Sequence, residues 1–236
     1  MLKKMEIVAI IPARGGSKGV LRKNIKLLNG NPLITYSIKA AQNSQYINKV
    51  VVSTDDKEIM ETALQYNASV PYLRPFELST DDASTVDVII HMVKYLINVE
   101  NYIPDYVCVL QCTSPLRTSA DIDNSISLLL SRNVDGLVSV CESEINPYWT
   151  NIFDGERLKY FIEKGKTITK RQDLPKIYRN NGAIYLVKTE VLLSEKSLEP
   201  KNITGYIMPI DRSIDIDTEL DFKIAELIME ESGINA

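Results

Sequence analysis

The sequence has one histidine and one tryptophan among its 236 residues. The histidine, His91, falls in a helix predicted for residues 85–96, whose apolar residues form one stripe, and we interpret it as a structural residue. Without a histidine base, hydrolysis by a Ser-His-Asp triad or a Cys-His pair has little support. The chemistry must then depend on a metal ion, carboxylates and cations.

Cysteine is also scarce. Cys108, Cys112 and Cys141 are odd in number and lack C-x-x-C spacing. This pattern is typical of reduced thiols and argues against a disulfide framework or a zinc site. We predict that all three are packing residues.

Long hydrophobic runs and an excess of basic residues are missing as well. The first apolar run, residues 7–11, is too short for the core of a signal peptide or for a membrane span, which predicts a cytoplasmic protein. The formal charge of -4 argues against a general nucleic-acid binder. With 44% hydrophobic and 25% charged residues, the composition is typical of a globular protein. We expect a small anionic partner, and neither nucleic acid nor a membrane.

A glycine-rich loop with basic residues follows the first predicted strand. It matches neither G-x-G-x-x-G nor G-x-x-x-x-G-K-[ST], which argues against a dinucleotide dehydrogenase and a P-loop ATPase. Its glycines allow a tight turn that brings N–H groups close to an anion, and its cations offset negative charge. The glycines are Gly15, Gly16 and Gly19, and the cations are Arg14, Lys18, Arg22 and Lys23. The loop predicts a polyphosphate site for a nucleotide, with an ordinary solvated turn as the alternative.

Two aspartates near the C-terminus form a second candidate site. Asp215 and Asp217 are spaced so that both side chains leave the same face of an extended segment. Such a pair suits Mg²⁺, which also binds phosphate oxygens and water. The alternative is that Asp217 or Thr218 caps the helix predicted for residues 219–231. A cap would not explain Asp215.

Polar residues follow the strand predicted for residues 106–110. Gln111, Thr113 and Ser114 offer neutral donors and acceptors of the kind that orient a sugar. They lie at the carboxyl end of the strand, where open α/β sheets bind ligands. Arg117 either binds an acid or pairs with Asp121.

A second polar segment follows the strand predicted for residues 70–73. Arg74 precedes Pro75 at the strand end, which positions it to contact a base or a phosphate. Ser84 and Thr85 either cap the next helix or face the ligand.

Alternating strand and helix patterns in the first half indicate repeated βαβ units, and hence an α/β fold with a mostly parallel sheet covered on both faces. The predicted strands are 7–11, 50–53, 70–73, 106–110, 137–140, 182–187 and 206–208. The predicted helices are 33–41, 56–66, 85–96, 120–130 and 219–231. The pattern becomes irregular after Ser143, and we predict a two- or three-stranded excursion over residues 143–180. This arm is inserted within one domain that spans residues 1–236.

Taken in order, the motifs of this chain resemble those of the CMP-sialic acid synthetases, also called acylneuraminate cytidylyltransferases. They are the loop of residues 11–24, Ser53-Thr54-Asp55, Arg74-Pro75-x-Glu77-Leu78, Leu110-Gln111-x-Thr113-Ser114-Pro115-Leu116-Arg117, Arg171-Gln172-x-Leu174-Pro175, Asn181-Gly182-Ala183-Ile184-Tyr185 and Ser213-Ile214-Asp215-Ile216-Asp217. The resemblance covers nearly the whole chain.

The resemblance implies a Rossmann-like three-layer nucleotidyltransferase fold and a homodimer whose inserted arm reaches the partner subunit. It also implies magnesium-dependent transfer of CMP from CTP to the anomeric hydroxyl of a nonulosonic acid, a nine-carbon 2-keto sugar acid, with release of pyrophosphate. N-acetylneuraminate is the favoured sugar.

Site residues follow by position. Those expected to bind CTP are Arg14, Gly15, Gly16, Ser17, Lys23, Asn24, Arg74 and Thr85. Those expected around the sugar are Gln111, Thr113, Ser114, Arg171 and Tyr185. Asp215 and Asp217 match the metal carboxylates, and Arg14 and Lys23 are expected to stabilise charge on the departing pyrophosphate.

Three positions depart from the family pattern. Cys112 and Asn180 stand where the family usually has proline, and Trp149 stands where sialic acid enzymes of this type can carry lysine. Because Trp149 falls in the arm that helps to form the sugar pocket, a CMP-legionaminic acid synthetase is the alternative within the same chemistry. A metal-dependent glycosyltransferase with Asp215 and Asp217 as its D-x-D motif is a more remote alternative, since a nucleotide-sugar donor needs fewer cations than this loop carries.

Overall fold

The structure is a computed structural model that describes residues 5–17 and 19–232. In chain order, the strands are β1 (Ile7–Pro12), β2 (Leu27–Leu28), β3 (Asn31–Pro32), β4 (Lys49–Ser53), β5 (Tyr106–Val109), β6 (Gly136–Glu142), β7 (Asn151–Asp154), β8 (Arg157–Tyr160), β9 (Tyr178–Lys188) and β10 (Ile203–Ile207). The helices are α1 (Leu33–Gln42), α2 (Lys57–Gln65), α3 (Thr85–Asn98), α4 (Ser119–Ser131), α5 (Thr189–Glu195) and α6 (Glu219–Ser232).

Six strands form the central sheet, in the order β10-β6-β9-β5-β1-β4. β1 pairs in parallel with both β4 and β5, and β10 pairs in parallel with β6. β9 lies antiparallel between β5 and β6. The prediction of a mostly parallel sheet is therefore confirmed.

The sheet is covered by helices on both of its faces. Along β1, Ile7, Ala9 and Ile11 pack in one buried cluster with residues of α1, α2 and α4. Val8 and Ile10 alternate with them and pack in a second cluster with residues of α3 and α5. A strand that is apolar on both sides is typical of a sheet between two helical layers, and the three-layer prediction is confirmed.

A third buried cluster joins the two ends of the chain. It contains Val20 from the glycine-rich loop, Ile216 from the segment between the two aspartates, and Phe222 and Met229 from α6. Leu116, next to the polar segment that follows β5, belongs to the same cluster. Burial of these side chains against one another brings three separate candidate motifs together.

The excursion after β6 contains one hairpin, formed by the antiparallel strands β7 and β8. Every residue of β7 is exposed, and so are Arg157, Leu158 and Lys159 of β8. The excursion therefore has two strands, which agrees with the prediction of two or three. Its role in dimerisation, and the assignment of one domain to residues 1–236, stay predictions.

The structure lacks one predicted strand and contains one helix that was not predicted. The strand predicted for residues 70–73 is replaced by two isolated bridges, from Val51 to Ser69 and from Thr54 to Leu73. Pro71 has no N–H with which to continue a ladder, so regular pairing cannot form there. Helix α5 was not predicted, because its seven residues are too few to show a clear helical period.

The scarce residues have the expected structural roles. All three cysteines are buried with free thiols, and burial raises the pKa values of Cys108 and Cys112 to about 12. His91 Nδ1 lies 2.7 Å from the hydroxyl oxygen of Tyr72, which agrees with a structural histidine. Among the helices that the structure describes, none has the length and apolar character needed to cross a membrane.

Candidate active site

One pocket of about 470 Å³ lies beyond the carboxyl ends of β1 and β5. Open α/β sheets bind ligands at this edge, because the loops that follow parallel strands converge there. The pocket brings together residues with predicted roles from both ends of the chain. They are Arg14, Ser17, Lys23, Asn24, Arg74, Thr85, Gln111, Thr113, Asp215 and Asp217.

The glycine-rich loop is held by hydrogen bonds between its own residues. The backbone N–H of Lys23 donates to Ser17 Oγ (3.2 Å). Asn24, which is buried, donates through Nδ2 to the carbonyl of Arg14 (2.9 Å). Ser17 and Asn24 therefore fix the loop that carries Arg14 and Lys23, which line the pocket.

Two glycines of the loop have different surroundings. A Cβ atom at Gly19 would lie 2.1 Å from the carbonyl oxygen of Asp217, so a side chain there requires the backbone to move. A Cβ atom at Gly16 would have no heavy atom within 4 Å. Gly19 thus allows the loop to pack against the aspartate segment, whereas Gly16 leaves space beside the loop.

Arg14 and Lys23 each contact a carboxylate at the pocket. Arg14 Nη1 lies 2.9 Å from Asp81 Oδ1, and both side chains are partly exposed. Lys23 Nζ donates to the carbonyl of Ile216 (2.6 Å) and lies 3.2 Å from Asp217 Oδ1. Lys23 therefore places its charge beside the carboxylate pair.

Arg22 has a different environment from its neighbour. Its Nη1 lies 2.5 Å from Asp56 Oδ2, and its Nη2 contacts Glu58. These ion pairs raise the pKa of Arg22, with the hydrogen bond to Asp56 as the largest cause. Arg22 thus binds the start of α2, and the expectation that it offsets phosphate charge is wrong for this arrangement. Lys18 lies outside the described residues.

The aspartate segment has the geometry expected from its spacing. Ile216 is fully buried, and its N–H donates to the carbonyl of Thr113 (2.8 Å). Asp215 and Asp217, on either side of it, both line the pocket. The two carboxylates therefore share one face, opposite the buried isoleucine.

The cap of α6 leaves the side chain of Asp217 at the pocket. Thr218 Oγ1 accepts from the N–H of Asp221 (3.3 Å), and Asp221 Oδ2 accepts from the N–H of Thr218 (2.7 Å). These reciprocal bonds cap the helix. Of the two capping residues considered from the sequence, the structure selects Thr218.

The electrostatics of Asp215 suit a site for a cation. Burial raises the pKa of its carboxyl, and the negative charge of Asp217 adds to this effect. A side-chain hydrogen bond with Thr113 and the charges of Lys23 and Arg179 act in the opposite direction.

Within residues 5–17 and 19–232, no group of three or more His, Cys, Asp or Glu side chains could hold a metal ion. The protein thus offers two hard oxygen ligands here, which fits an ion such as Mg²⁺ that takes its other ligands from phosphates and water.

Arg74 is a buried residue of the same pocket. Its side chain is only 5% exposed, and its Nη2 lies 3.4 Å from Asp55 Oδ1. Its Nε donates to Ser79 Oγ (3.3 Å). Ser84 caps α3 by accepting from the N–H of Asp87 (3.1 Å), so the adjacent Thr85 is not needed as the cap.

Of the residues expected to bind CTP, the sugar or the metal ion, five do not line this pocket. Gly15 donates its backbone N–H to Asp55 Oδ1 (3.1 Å), and Gly16 is exposed. Ser114 is fully buried and donates to the carbonyl of Asn181 (3.3 Å). Ser114 therefore supports the fold around the site rather than facing a ligand.

The other two are Arg171 and Tyr185, which were expected near the sugar. Arg171 lies in the excursion and lines a separate pocket of about 430 Å³ together with Trp149. Tyr185 packs against the second buried cluster, and burial raises the pKa of its hydroxyl. One subunit by itself does not place Arg171 with Gln111 and Thr113.

Arg117 neither faces the pocket nor bonds with Asp121, which pairs with Arg212 at 2.7 Å. Arg117 is buried and donates to three backbone carbonyls, those of Gln111, Ser114 and Ala183, at 3.1–3.3 Å. It also donates to Ser37 Oγ at 2.7 Å. Burial lowers its pKa to about 10. Both interpretations of Arg117 from the sequence are therefore wrong, and its role is to hold the segment after β5 against β9 and α1.

We expect the Arg117→Met variant to lose about 3 kcal/mol of unfolding free energy, because several buried acceptors lose a charged donor. Chemical denaturation monitored by circular dichroism measures this loss. Arg132→Met is the matched control, since Arg132 is exposed and, among the described hydrogen bonds, its side chain contacts only Thr204. The control is expected to change stability by less than about 0.5 kcal/mol. Equal stability of the two variants would contradict the structural role of Arg117.

A buried polar network behind the aspartates was not deduced from the sequence. Asn181 donates through Nδ2 to Ser213 Oγ (2.9 Å), and its Oδ1 accepts from Ser139 Oγ (2.6 Å). Ser213 begins the segment that carries Asp215, so the network anchors that segment to β6 and β9. Asn181 stood in a quoted motif, but only its burial shows what the side chain does.

The profile of the family described as "Cytidylyltransferase" matches residues 8–230. The chain belongs to the cytidylyltransferase family. The resemblance read from the motifs is therefore confirmed at the level of the family.

Three relatives in this family are named for different sugars. The chain is 34% identical over 229 residues to a CMP-N,N'-diacetyllegionaminic acid synthase of Legionella pneumophila, which covers 96% of this chain and 97% of the relative. It is 34% identical over 224 residues to a pseudaminic acid cytidylyltransferase of Campylobacter jejuni, with 95% and 96% covered. It is 35% identical over 225 residues to an N-acylneuraminate cytidylyltransferase of Streptococcus agalactiae, with 92% of this chain and 52% of that protein covered.

A solved structure supports the fold assignment of this cytidylyltransferase. The structure of a CMP:2-keto-3-deoxy-manno-octonic acid synthetase complexed with CTP superimposes with a TM-score of 0.71. The match covers 96% of this chain and 99% of the other at 17% identity. The Rossmann-like nucleotidyltransferase fold is thus confirmed.

Proposed function

We propose that this cytidylyltransferase transfers CMP from CTP to the anomeric hydroxyl of a nonulosonic acid and releases pyrophosphate. The observation that carries the proposal is that Arg14 and Lys23 meet Asp215 and Asp217 in one pocket. Cations beside a pair of carboxylates suit a nucleoside triphosphate with a bound divalent ion.

In the proposed reaction, the sugar hydroxyl attacks the α-phosphorus of CTP and the bond to the β-phosphate oxygen breaks. Arg14 and Lys23 bind the phosphates and stabilise the negative charge that develops on the pyrophosphate. Arg74, which also lines the pocket, binds the nucleotide as well. Because Lys23 is fixed by the carbonyl of Ile216, its charge is already in place before the reaction.

We propose that Asp215 and Asp217 hold the Mg²⁺ expected from the sequence. When bound, the ion would polarise the α-phosphoryl group and lower the pKa of the attacking hydroxyl. The two carboxylates meet the pocket on one face, and Lys23 beside Asp217 limits the excess negative charge. We also propose that the reaction takes place in the cytoplasm, where CTP is available.

The proposed sugar site is completed by a second subunit. Gln111 and Thr113 line the nucleotide pocket, whereas Arg171 lies in the excursion. We propose that the excursion is the dimerisation arm and brings Arg171 to the partner's sugar site. Supporting this, Phe153 and Leu158 pair across the β7–β8 hairpin and are 75% and 62% exposed, an apolar surface suited to contact another subunit.

The double variant Phe153→Ser/Leu158→Ser is expected to convert a dimer to a monomer, because it removes apolar contacts at the centre of the proposed interface. Light scattering coupled to size-exclusion chromatography measures the mass. Leu64→Ser is the matched control, since Leu64 is a half-exposed leucine on α2. A monomeric wild-type protein, or a double variant with the wild-type mass, would contradict the arm assignment.

One assay tests the function and selects the sugar. Pyrophosphate release is measured with CTP and Mg²⁺ against N-acetylneuraminate, N,N'-diacetyllegionaminic acid and pseudaminic acid, and repeated with UTP, GTP and ATP. The sequence favours N-acetylneuraminate, whereas two of the relatives matched over nearly their full length are named for the other two sugars. We expect CTP to be preferred and one sugar to dominate. Release with none of the three would overturn the proposed function.

A further inference from the structure

Asp55 joins two parts of the proposed nucleotide site without lining the pocket itself. It follows β4, and its Oδ1 accepts from the N–H of Gly15 at 3.1 Å. The same oxygen lies 3.4 Å from Nη2 of Arg74. One carboxylate therefore contacts both the beginning of the glycine-rich loop and the buried Arg74.

The backbone around Asp55 brings both partners to the end of β4. The N–H of Ala13 donates to the carbonyl of Ser53 (2.9 Å), and the N–H of Arg74 donates to the carbonyl of Thr54 (2.7 Å). The loop and the Arg74 segment thus leave from adjacent carbonyls on the same strand. The Asp55 side chain adds the contact that joins them beyond the strand.

Charge gives a physical reason for a carboxylate at this position. Burial lowers the pKa of Arg74, and the positive charge of Arg14 lowers it further, while Asp55 acts in the opposite direction. Two cations of one pocket are thus close enough to repel each other. A carboxylate behind them offsets that repulsion without occupying space in the pocket.

We propose that Asp55 is a positioning residue, which fixes the Gly15 backbone and the Arg74 guanidinium relative to each other and so preorganises this part of the nucleotide site. This inference rests on the proposed function, because it assumes that the pocket binds CTP. Asp55 acts through Gly15 and Arg74 and has no direct contact with the nucleotide.

Two possible roles of Asp55 predict opposite effects of its removal on CTP affinity. The direction of the change in affinity therefore distinguishes them. If Asp55 only set the net charge of the site, its neutralisation would make the site more positive, tighten the binding of CTP and steepen the salt dependence. If Asp55 positions its partners, its loss weakens the binding of CTP, because Arg74 and the loop must be ordered during binding. We expect the second outcome.

The experiment measures CTP binding by isothermal titration calorimetry in Asp55→Ala and Asp55→Asn. Asp55→Ala is expected to weaken binding about tenfold or more. Asp55→Asn keeps an oxygen that can accept from Gly15 but loses the charge beside Arg74, so we expect a smaller loss. Asp135→Asn is the matched control, because Asp135 also pairs with a cation, Lys188 at 2.7 Å, but lies before β6 at the opposite edge of the sheet. The control is expected to bind CTP as the wild-type protein does.

A double-mutant cycle tests whether Asp55 acts through Arg74. In the Arg74→Ala background, Asp55→Asn is expected to cause less than about a twofold further change in CTP affinity. A purely structural defect would instead lower affinity by the same factor in both backgrounds. Melting temperatures of all variants identify any loss of folding, and hydrogen exchange of residues 13–17 reports the loop directly. Faster exchange of these residues in Asp55→Ala, partly restored in Asp55→Asn, is expected.

The outcomes distinguish the two proposals. No CTP binding by the wild-type protein would overturn the proposed nucleotide site. Wild-type binding with equal or tighter binding in folded Asp55→Ala would overturn the positioning role alone. Additive losses across the cycle would also overturn it.

Discussion

Replacing Asp217 with asparagine is expected to lower pyrophosphate release by about a hundredfold or more at saturating CTP and sugar. The variant turns one of the two carboxylates that would hold Mg²⁺ into a neutral amide. Asp217 is exposed at the pocket and is not the cap of α6, so the variant should fold. Its backbone carbonyl, against which Gly19 packs, is unchanged.

A binding measurement gives a second readout for Asp217. Calorimetric titration of CTP with and without Mg²⁺ is expected to show strong metal dependence in the wild-type protein and weak dependence in Asp217→Asn. Asp211→Asn is the matched control, because Asp211 is an exposed aspartate a few residues earlier that does not line this pocket. Near-normal turnover by Asp217→Asn would remove this residue from the metal site.

Replacing Lys23 with methionine is expected to lower turnover by about a hundredfold, with a smaller change in CTP affinity. Lys23 Nζ is held by the carbonyl of Ile216 and by Asp217, so its charge is fixed beside the carboxylates. A charge positioned in advance stabilises negative charge that develops during the reaction more than it stabilises bound substrate. Single-turnover measurement of CMP-sugar formation isolates this effect from product release.

The neighbouring cation provides the comparison for Lys23. Arg22→Met removes a charge one residue away that pairs with Asp56 and Glu58 at α2. We expect this variant to change turnover by no more than about threefold, because partly exposed ion pairs contribute little. Similar losses in both variants would show that the loop contributes only its total charge, and would contradict the specific role of Lys23.

Local sequence patterns predicted much of the fold. The two-sided apolar strand β1 and the amphipathic α3 both show clear periodicity, so their type and position agree with the structure within about two residues. Prediction from these patterns failed where local signals conflict or where an element is short. Pro71 interrupts an otherwise strand-like run, and α5 spans only two turns.

The candidate site was predicted unevenly. The placement of Asp215 and Asp217 together at the pocket was predicted from their spacing of two residues. Ser114 and Arg117 have the composition of ligand-binding residues, yet both are buried in the structure and hold backbone carbonyls. Sequence cannot separate these cases, because a polar side chain can satisfy its hydrogen bonds with either ligand or backbone.

The kind of chemistry can be predicted from residue types alone, since glycines, cations and paired carboxylates suit phosphate and a divalent ion wherever they lie. Which of these groups meet in one site depends on how the chain folds. Val20 and Ile216 are almost 200 residues apart and share one buried cluster, which places the loop against the aspartates. Arg22 and Lys23 are adjacent in the chain but contact different elements, because Arg22 has a left-handed backbone (φ 53°) and Lys23 begins the next turn. Burial of apolar side chains from distant parts of the chain, together with the local direction of the backbone, brings the cations and the carboxylates into one site.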